Sequence, residues 1–126
     1  MKIPTLSRLL AVDVDSDITF MLKVILEQCG FTIDVFNDPK LALINFKADH
    51  YDLLLLEVKM PQINGFQLYQ EIANIDRNVK VCFFTAYEAL YQSLIKQFPN
   101  LKAECLITKP IKILDLIKKI DHELVD

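Results

Sequence analysis

Short runs of apolar residues alternate along this chain with segments in which apolar residues recur at helical spacing. The runs predict buried strands, and the periodic segments predict helices packed against them. The predicted strands are Arg8–Val12, Phe31–Phe36, Leu53–Glu57, Val79–Thr85 and Cys105–Thr108. The predicted helices begin at Asp15-Ser16, Asn37-Asp38-Pro39, Gly65, Tyr87 and about Ile113, and the fourth runs from Tyr87 to Phe98.

Residues at the ends of these segments support the boundaries. Asp15 or Ser16 can cap the first helix, and Gly30 can end it because glycine adopts a positive φ at little cost. Pro39 suits the first turn of the second helix. The apolar positions at helical spacing are Ile18, Met21, Leu22, Ile25 and Leu26 in the first helix, Leu41, Ile44 and Phe46 in the second, Phe66, Tyr69, Ile72 and Ala73 in the third, and Ile113, Leu116, Ile117, Ile120 and Leu124 in the last.

Five strands in alternation with five helices predict an α/β domain with a parallel sheet covered on both faces. A flavodoxin-like, doubly wound sheet with strand order 2-1-3-4-5 fits this alternation best. In such sheets ligands bind beyond the carboxyl ends of the strands. The residues that we expect to meet there are Asp13, Glu57, Thr85 and Lys109.

The residue that ends the third strand indicates what the predicted site can bind. Four consecutive leucines, Leu53–Leu56, lead into the single carboxylate of Glu57, and a Met60-Pro61 turn follows. Carboxylates such as Asp13 and Glu57 can bind a hard cation. A hydroxyl and an ammonium group can bind phosphate oxygens. The four residues therefore predict a site for a divalent cation and a phosphoryl group.

Composition narrows the class of protein. A chain of 126 residues with 52% hydrophobic residues is expected to form one domain, residues 1–126. The net charge is −3 without a basic stripe, which argues against nucleic-acid binding. No apolar run is long enough for a membrane span, and the start lacks the apolar segment of a signal peptide. We therefore expect a cytoplasmic protein.

The cysteines and histidines suggest no metal centre. Cys29, Cys82 and Cys105 are widely spaced within apolar segments, which predicts buried, reduced thiols and a reducing compartment. His50 and His122 are far apart and lie in no metal-ligand spacing.

Several short motifs together resemble one family. Asp13 follows the first strand, Met60-Pro61 and Gly65 follow the third, Thr85-Ala86 ends the fourth, and Lys109-Pro110 follows the fifth. From Arg8 to Leu124 the chain resembles the receiver domains of two-component response regulators, and the archaeal ones in particular. The resemblance implies that Glu57 occupies the phosphoacceptor position and that Asp13 is a metal ligand. It also implies that Thr85 is the switch hydroxyl and that the Lys109–Pro110 bond is cis.

The chain departs from the family pattern at three positions. Glu57 replaces the aspartate that accepts the phosphoryl group, Val14 replaces the second acid of the metal site, and Leu106 replaces the aromatic switch residue. Asp15 could supply the lost ligand, although helix capping is its simpler role. Because an uncompensated buried charge is costly, we expect an ion pair between Glu57 and Lys109.

Three functions remain open from the sequence. The first is a non-enzymatic signalling module that does not depend on phosphorylation or that permanently imitates the phosphorylated state through Glu57. The second is a working receiver that accepts a phosphoryl group from a histidine kinase with Mg²⁺. The third is an unrelated flavodoxin-like ligand binder, which is weakly supported because the chain has only two glycines and no Gly-rich phosphate loop.

The first two functions require protein partners. The sequence shows no output domain, so the expected partner is a histidine kinase or a downstream effector. Two roles are open for Tyr87 and Tyr91 of helix four, namely a half-buried place in the core or a place in a protein interface, where exposed aromatic residues concentrate. We therefore expect a possible homodimer through helix four, strand five and helix five, with both tyrosines in the interface. We expect at most weak binding of Mg²⁺, because Val14 offers no oxygen.

Overall fold

A computed structural model describes residues 7–101 and 105–125 of the chain. In these residues, five strands alternate with five helices. The strands are β1 (Arg8–Val12), β2 (Thr32–Phe36), β3 (Leu53–Leu56), β4 (Lys80–Thr85) and β5 (Cys105–Thr108). The helices are α1 (Ser16–Gln28), α2 (Pro39–Asn45), α3 (Gly65–Ile75), α4 (Glu88–Ile95) and α5 (Ile113–Leu124).

The strands form one parallel sheet in the order β2-β1-β3-β4-β5, which confirms the predicted fold class and strand order. Val12 pairs with Leu56, and Leu56 pairs with Phe83. Thr85 pairs with Thr108. This register places the residues that follow β1, β3, β4 and β5 along one edge of the sheet.

Both faces of the sheet are buried, because the apolar residues of β3 alternate between two cores. Leu54 and Leu56 belong to the core beneath α2, α3 and α4. Leu53 and Leu55 belong to the core beneath α1 and α5. All four side chains are at most 1% exposed. A strand of four leucines is therefore explained by burial on two sides.

The helix starts carry the local signals that the sequence suggests. The side chain of Asp15 accepts a hydrogen bond from the amide of Asp17 and caps α1. Asn64 and Gln67 form a capping box at α3, which satisfies two free amides of that helix. Gly30 has a φ of 96°, a conformation that glycine adopts without strain.

Some predicted boundaries are corrected. Helix α4 covers Glu88–Ile95 instead of Tyr87–Phe98, although Phe98 still stacks on Phe66 in the core. Phe46 is the residue that ends α2, with extended backbone, so it lies outside the helix. Ile113 is 48% exposed at the start of α5 and does not line the core.

The prediction of buried, reduced thiols is only partly right, since Cys82 is buried but not reduced and Cys29 is free but not buried. Cys82 and Cys105 are bonded to each other as a disulfide between β4 and β5. Cys29 is exposed at the end of α1. The two bonded cysteines are 23 residues apart in sequence, and only the sheet register makes them neighbours.

No helix in the described part of the chain is both long and apolar enough to cross a membrane.

Candidate functional site

Three of the predicted site residues meet in an ion-paired cluster at the carboxyl edge of the sheet. The ammonium nitrogen Nζ of Lys109 lies 3.0 Å from Oε1 of Glu57 and 2.5 Å from Oδ2 of Asp13. This confirms the predicted pair between Glu57 and Lys109 and adds Asp13 to it. The peptide bond between Lys109 and Pro110 is cis, as predicted. One cation thus serves two carboxylates, and the cluster carries a net negative charge.

The backbone fixes each member of this cluster. The amide of Glu57 donates to the carbonyl of Val12, and the amide of Asp13 donates to the carbonyl of Phe36. The amide of Lys109 donates to the carbonyl of Thr85. These bonds continue the parallel ladders just beyond the ends of the strands. The site is therefore held by the sheet itself, and Asp13 and Glu57 are each only 4% exposed.

The carboxylate of Glu57 turns back onto the chain that follows it. Its Oε2 accepts hydrogen bonds from the amide of Val58 at 2.6 Å and from the amide of Lys59 at 3.1 Å. Its Oε1 accepts from Lys109. Both oxygens are thus bound by protein donors. Glutamate has one more methylene than aspartate, and this extra length lets the carboxylate fold back to the two amides.

Charge and burial oppose each other at Asp13 and Lys109. Burial raises the pKa of Asp13 above its ordinary value, and the hydrogen bonds from Lys109 and the Asp15 amide only partly offset this. Burial by itself would lower the pKa of Lys109, but its hydrogen bonds to Asp13 and Glu57, together with their charges, raise it overall. Lys109 is therefore held firmly in its charged form.

The donor set fits Mg²⁺ poorly. Mg²⁺ requires oxygen ligands in near-ideal octahedral geometry. Here Oδ1 of Asp13 accepts the Asp15 amide, Oδ2 accepts Lys109, and both oxygens of Glu57 are also taken. Val14, at the position of a missing ligand, is 44% exposed and has no side-chain oxygen. The side chain of Asp15 caps α1, which is the simpler of its two predicted roles.

Thr85 and Lys59 connect the site to helix α4. Thr85 is fully buried, and its hydroxyl oxygen accepts a hydrogen bond from the amide of Tyr87, the residue that precedes α4. The Nζ of Lys59 lies 4.8 Å from the centroid of the Tyr87 ring, within the range of a cation–π contact. A hydrogen bond from Tyr87 to Thr85 and a cation–π contact with Lys59 therefore join the carboxyl edge of the sheet to Tyr87.

The two tyrosines of the predicted interface occupy different environments. Tyr87 is 46% exposed, so it is available to a partner. Tyr91 is 6% exposed and packs against Phe66 and Phe83 in the core, which corrects its assignment to an exposed interface. Leu106, at the switch position, is half-buried against the same core.

Sequence reasoning missed one side chain and two backbone groups of this site. The side-chain amide of Asn37 donates to the carbonyl of Asp13 at 2.7 Å and to the Thr19 hydroxyl at 2.9 Å, and it fixes the loop after β1. The amides of Val58 and Lys59 hold the Glu57 carboxylate. The Asn37-Asp38-Pro39 turn was the only signal for Asn37, and it indicated a helix start.

The chain matches a known family over most of its length. The sequence profile of the response regulator receiver domain matches residues 9–121. The response regulator receiver protein CpdR of Brucella abortus is 25% identical over 120 residues, which are 95% of this chain and 98% of that protein. This chain spans half or less of the length of several other curated relatives.

Solved structures support the same assignment. The non-phosphorylated HemR receiver domain of Leptospira biflexa is 25% identical and superposes with a TM-score of 0.84 over 95% of each chain. The response regulator TrrA of Thermotoga maritima, solved with Mg²⁺ and BeF, is 29% identical, with a TM-score of 0.80 over 94% of this chain and 99% of that one. The likeness extends to archaea in a receiver of Methanospirillum hungatei, but an archaeal affinity of this chain stays a prediction.

Proposed function

This chain belongs to the response regulator receiver family of two-component signalling, and from that premise we propose that its output does not depend on phosphoryl transfer. The observation that carries the proposal is the bonding of the Glu57 carboxylate. The ammonium group of Lys109 and two backbone amides occupy its oxygens. The group at the phosphoacceptor position is therefore already bound within the protein.

Geometry argues against Glu57 as a nucleophile. Phosphoryl transfer depends on an attacking oxygen in line with the leaving group and on metal ions that neutralise the developing charge. At residue 57 both carboxylate oxygens already accept hydrogen bonds, from Val58, Lys59 and Lys109. Before Glu57 could attack a phosphoryl group, two or three of these hydrogen bonds would have to break. The available oxygens would also bind a metal ion weakly.

The same contacts support a partial imitation of the phosphorylated state. A phosphoryl group carries about −1.5 to −2 charges and three acceptor oxygens, whereas a carboxylate carries one charge and two oxygens. Glu57 nevertheless brings a fixed anion into contact with Lys109 and with the amide of Lys59. From Lys59 the cation–π contact continues to Tyr87 at the start of α4. A constitutive signal at α4 thus has a physical route.

A working receiver is the second candidate. It is favoured by one observation, namely that Asp13, Thr85 and Lys109 are all present at the carboxyl edge. Under this alternative, Glu57 would rotate away from the Val58 and Lys59 amides and accept the phosphoryl group from a histidine kinase. Its partners, like those of the first candidate, are a kinase or an effector.

Treatment with acetyl phosphate and Mg²⁺, read by intact mass, tests the proposal. We expect no added phosphoryl group in the natural chain. The double variant Val14→Asp/Glu57→Asp is the positive control, because it restores the metal ligand and shortens the acceptor, and it should gain one phosphoryl group. A phosphoryl group on the natural chain that Glu57→Gln abolishes would overturn the proposal in favour of the working receiver.

Calorimetric titration with Mg²⁺ tests the metal site separately. We expect a dissociation constant of about 1 mM or weaker for the natural chain, in the range of loose carboxylate sites. Val14→Asp adds one carboxylate at the exposed edge of the site and should tighten binding. Micromolar affinity in the natural chain, or no change in Val14→Asp, would contradict this assignment of the site.

A further inference from the structure

The bonded cysteines take no part in the ion-paired cluster at the carboxyl edge, although Thr85 and Lys109 follow them along the same two strands. Cys82 on β4 and Cys105 on β5 are direct register partners, with 4.5 Å between their Cα atoms. In the sheet order, β5 is an edge strand that pairs with β4. The bond therefore fastens an edge strand to the sheet by a covalent link, independently of the ladder hydrogen bonds.

The two sulfur positions differ in their access to solvent. Cys82 is fully buried in the core beneath α1 and α5, whereas Cys105 is half-buried. Cys105 lines an open cleft of about 300 Å³ between β5 and α5. The other lining residues are Leu106, Lys118, Lys119, His122 and Glu123. A small molecule can therefore reach Cys105 first.

The charges in this cleft suit an anionic reagent. Lys118 and Lys119 line this cleft together with Cys105, and their two ammonium groups outnumber the one carboxylate there, that of Glu123. Positive charge favours the thiolate, which is the reactive form of cysteine. The carboxylate of Glu123 lies within 4.8 Å of both sulfurs. The cleft thus pairs a reachable sulfur with cations for binding an anion.

We propose that Cys82 and Cys105 form a reversible thiol–disulfide site that exchanges with a small anionic disulfide of the glutathione class. Cys105, having lost its proton to solvent, attacks one sulfur of glutathione disulfide, and the first glutathione leaves as a thiolate and is protonated. Cys82 then loses its proton and attacks Cys105, which forms the bond between them and releases the second glutathione. Two protein thiols are oxidised, and one glutathione disulfide is reduced to two glutathiones.

The redox state of this site changes how firmly β5 is held, and β5 is part of the predicted interface. Leu106, the residue at the switch position, directly follows Cys105, and Lys109 follows the same strand. Oxidation ties the start of β5 to β4, while reduction leaves the edge strand held by its hydrogen bonds and by the packing of Leu106 and Ile107. Hydrogen exchange of the β5 amides should therefore be slower in the oxidised chain, with β2 unchanged as the internal control.

Thiol counting on the folded chain tests the exchange. All variants carry Cys29→Ser, which removes the exposed third thiol. The reduced chain is treated with glutathione disulfide, quenched in acid, alkylated and weighed intact. We expect the loss of two thiols without retained glutathione. Cys82→Ala should instead keep one glutathionyl group on Cys105, and Cys105→Ala should react roughly tenfold more slowly, because Cys82 is buried.

A charge comparison tests the cleft. Lys118→Gln/Lys119→Gln should slow the reaction with glutathione disulfide and leave the reaction with neutral hydroxyethyl disulfide unchanged. Equal slowing of both reagents would overturn the role of the cleft. The proposal fails if both thiols stay alkylatable under native conditions, or if they react only in denaturant. It also fails if the reduced chain retains one zinc ion through Cys82, Cys105 and Glu123 and does not exchange.

Discussion

At position 57 one added methylene changes how an acidic side chain is bound. The carboxylate reaches back to the amides of Val58 and Lys59 and still contacts Lys109. The site then holds two carboxylates and one ammonium group in a buried setting. In such a setting the removal of the single cation leaves like charges facing each other, so Lys109 is the residue whose loss should matter most.

Lys109→Met should lower the free energy of unfolding at neutral pH by about 3 kcal/mol, because it leaves two buried carboxylates without an opposite charge. Urea denaturation measures this directly. The matched control is Lys23→Met, which breaks the exposed i,i+4 pair with Glu27 and should cost less than about 0.5 kcal/mol. The deficit of Lys109→Met should shrink in acid, where Asp13, with its raised pKa, takes up a proton. Equal losses in both variants would contradict the cluster as described.

The raised pKa of Lys109 predicts the alkaline limit of this stabilisation. The folded chain holds the Lys109 proton more tightly than the unfolded chain, whose pKa is near 10.5. The stabilisation that Lys109 contributes is therefore complete below pH 10.5. It is lost as the pH rises through the higher pKa that Lys109 has in the folded chain. The difference in unfolding free energy between the natural chain and Lys109→Met should be constant near neutrality and fall above pH 10.5. A difference that grows with alkaline pH would contradict the direction of the shift.

At the scale of elements, the carboxyl edge depends on how closely α3 approaches the loop after β3. The amide of Gly65 donates to the carbonyl of Val58 at 2.9 Å. A Cβ at residue 65 would lie 2.3 Å from the carbonyl oxygen of Glu57. Since that neighbour is backbone, it cannot turn away as a side chain could. The position therefore requires glycine for close approach and not for an unusual φ.

Gly65→Ala should destabilise the fold by about 2 kcal/mol, because the start of α3 must shift away from residue 57. Thermal or urea unfolding provides the measurement. Asn64→Ala is the comparison at the neighbouring position, where loss of the helix cap should cost about 1 kcal/mol without any steric conflict. Wild-type stability in Gly65→Ala would mean that the loop after β3 yields more easily than its hydrogen bonds suggest.

At the scale of the whole molecule, the proposed function requires an exposed surface that a partner can contact. Tyr87 is exposed at the start of α4, whereas Tyr91 is part of the core. The surface formed by α4, β5 and α5 therefore presents one tyrosine instead of two. Phe20 is 71% exposed on α1, the helix that supplies Leu22 and Leu26 to the other core. These two aromatic residues allow a direct comparison between two faces of the molecule.

We expect a symmetric dimer through α4, β5 and α5 to form without a phosphodonor, since Glu57 supplies its anion permanently. Tyr87→Ala should raise the dimer dissociation constant roughly tenfold, in line with the loss of an aromatic contact worth more than about 1 kcal/mol. Phe20→Ala should leave it unchanged. Sedimentation velocity at several concentrations distinguishes these results. A monomer at every concentration would restrict this surface to a different partner protein.

The sequence by itself determined the class of fold, the order of the elements and the edge where the site lies. Apolar runs and helical spacing indicate the buried side of most elements, and the strict alternation of elements leaves few topologies. The ion pair between Glu57 and Lys109 followed from this, because parallel strands deliver their last residues to one edge. The strands β1 and β5 were predicted with their observed bounds.

The tertiary structure alone decided which of several suitable neighbours each side chain meets. Periodicity marks Tyr87 and Tyr91 as equivalent, but the position of α4 over Phe66 and Phe83 buries only the second. Cys82 and Cys105 are unremarkable within their strands until the register pairs them. Glu57 could have pointed at a metal, yet nearby amides bind its carboxylate. These outcomes depend on distances between residues remote in sequence, which local pattern does not encode.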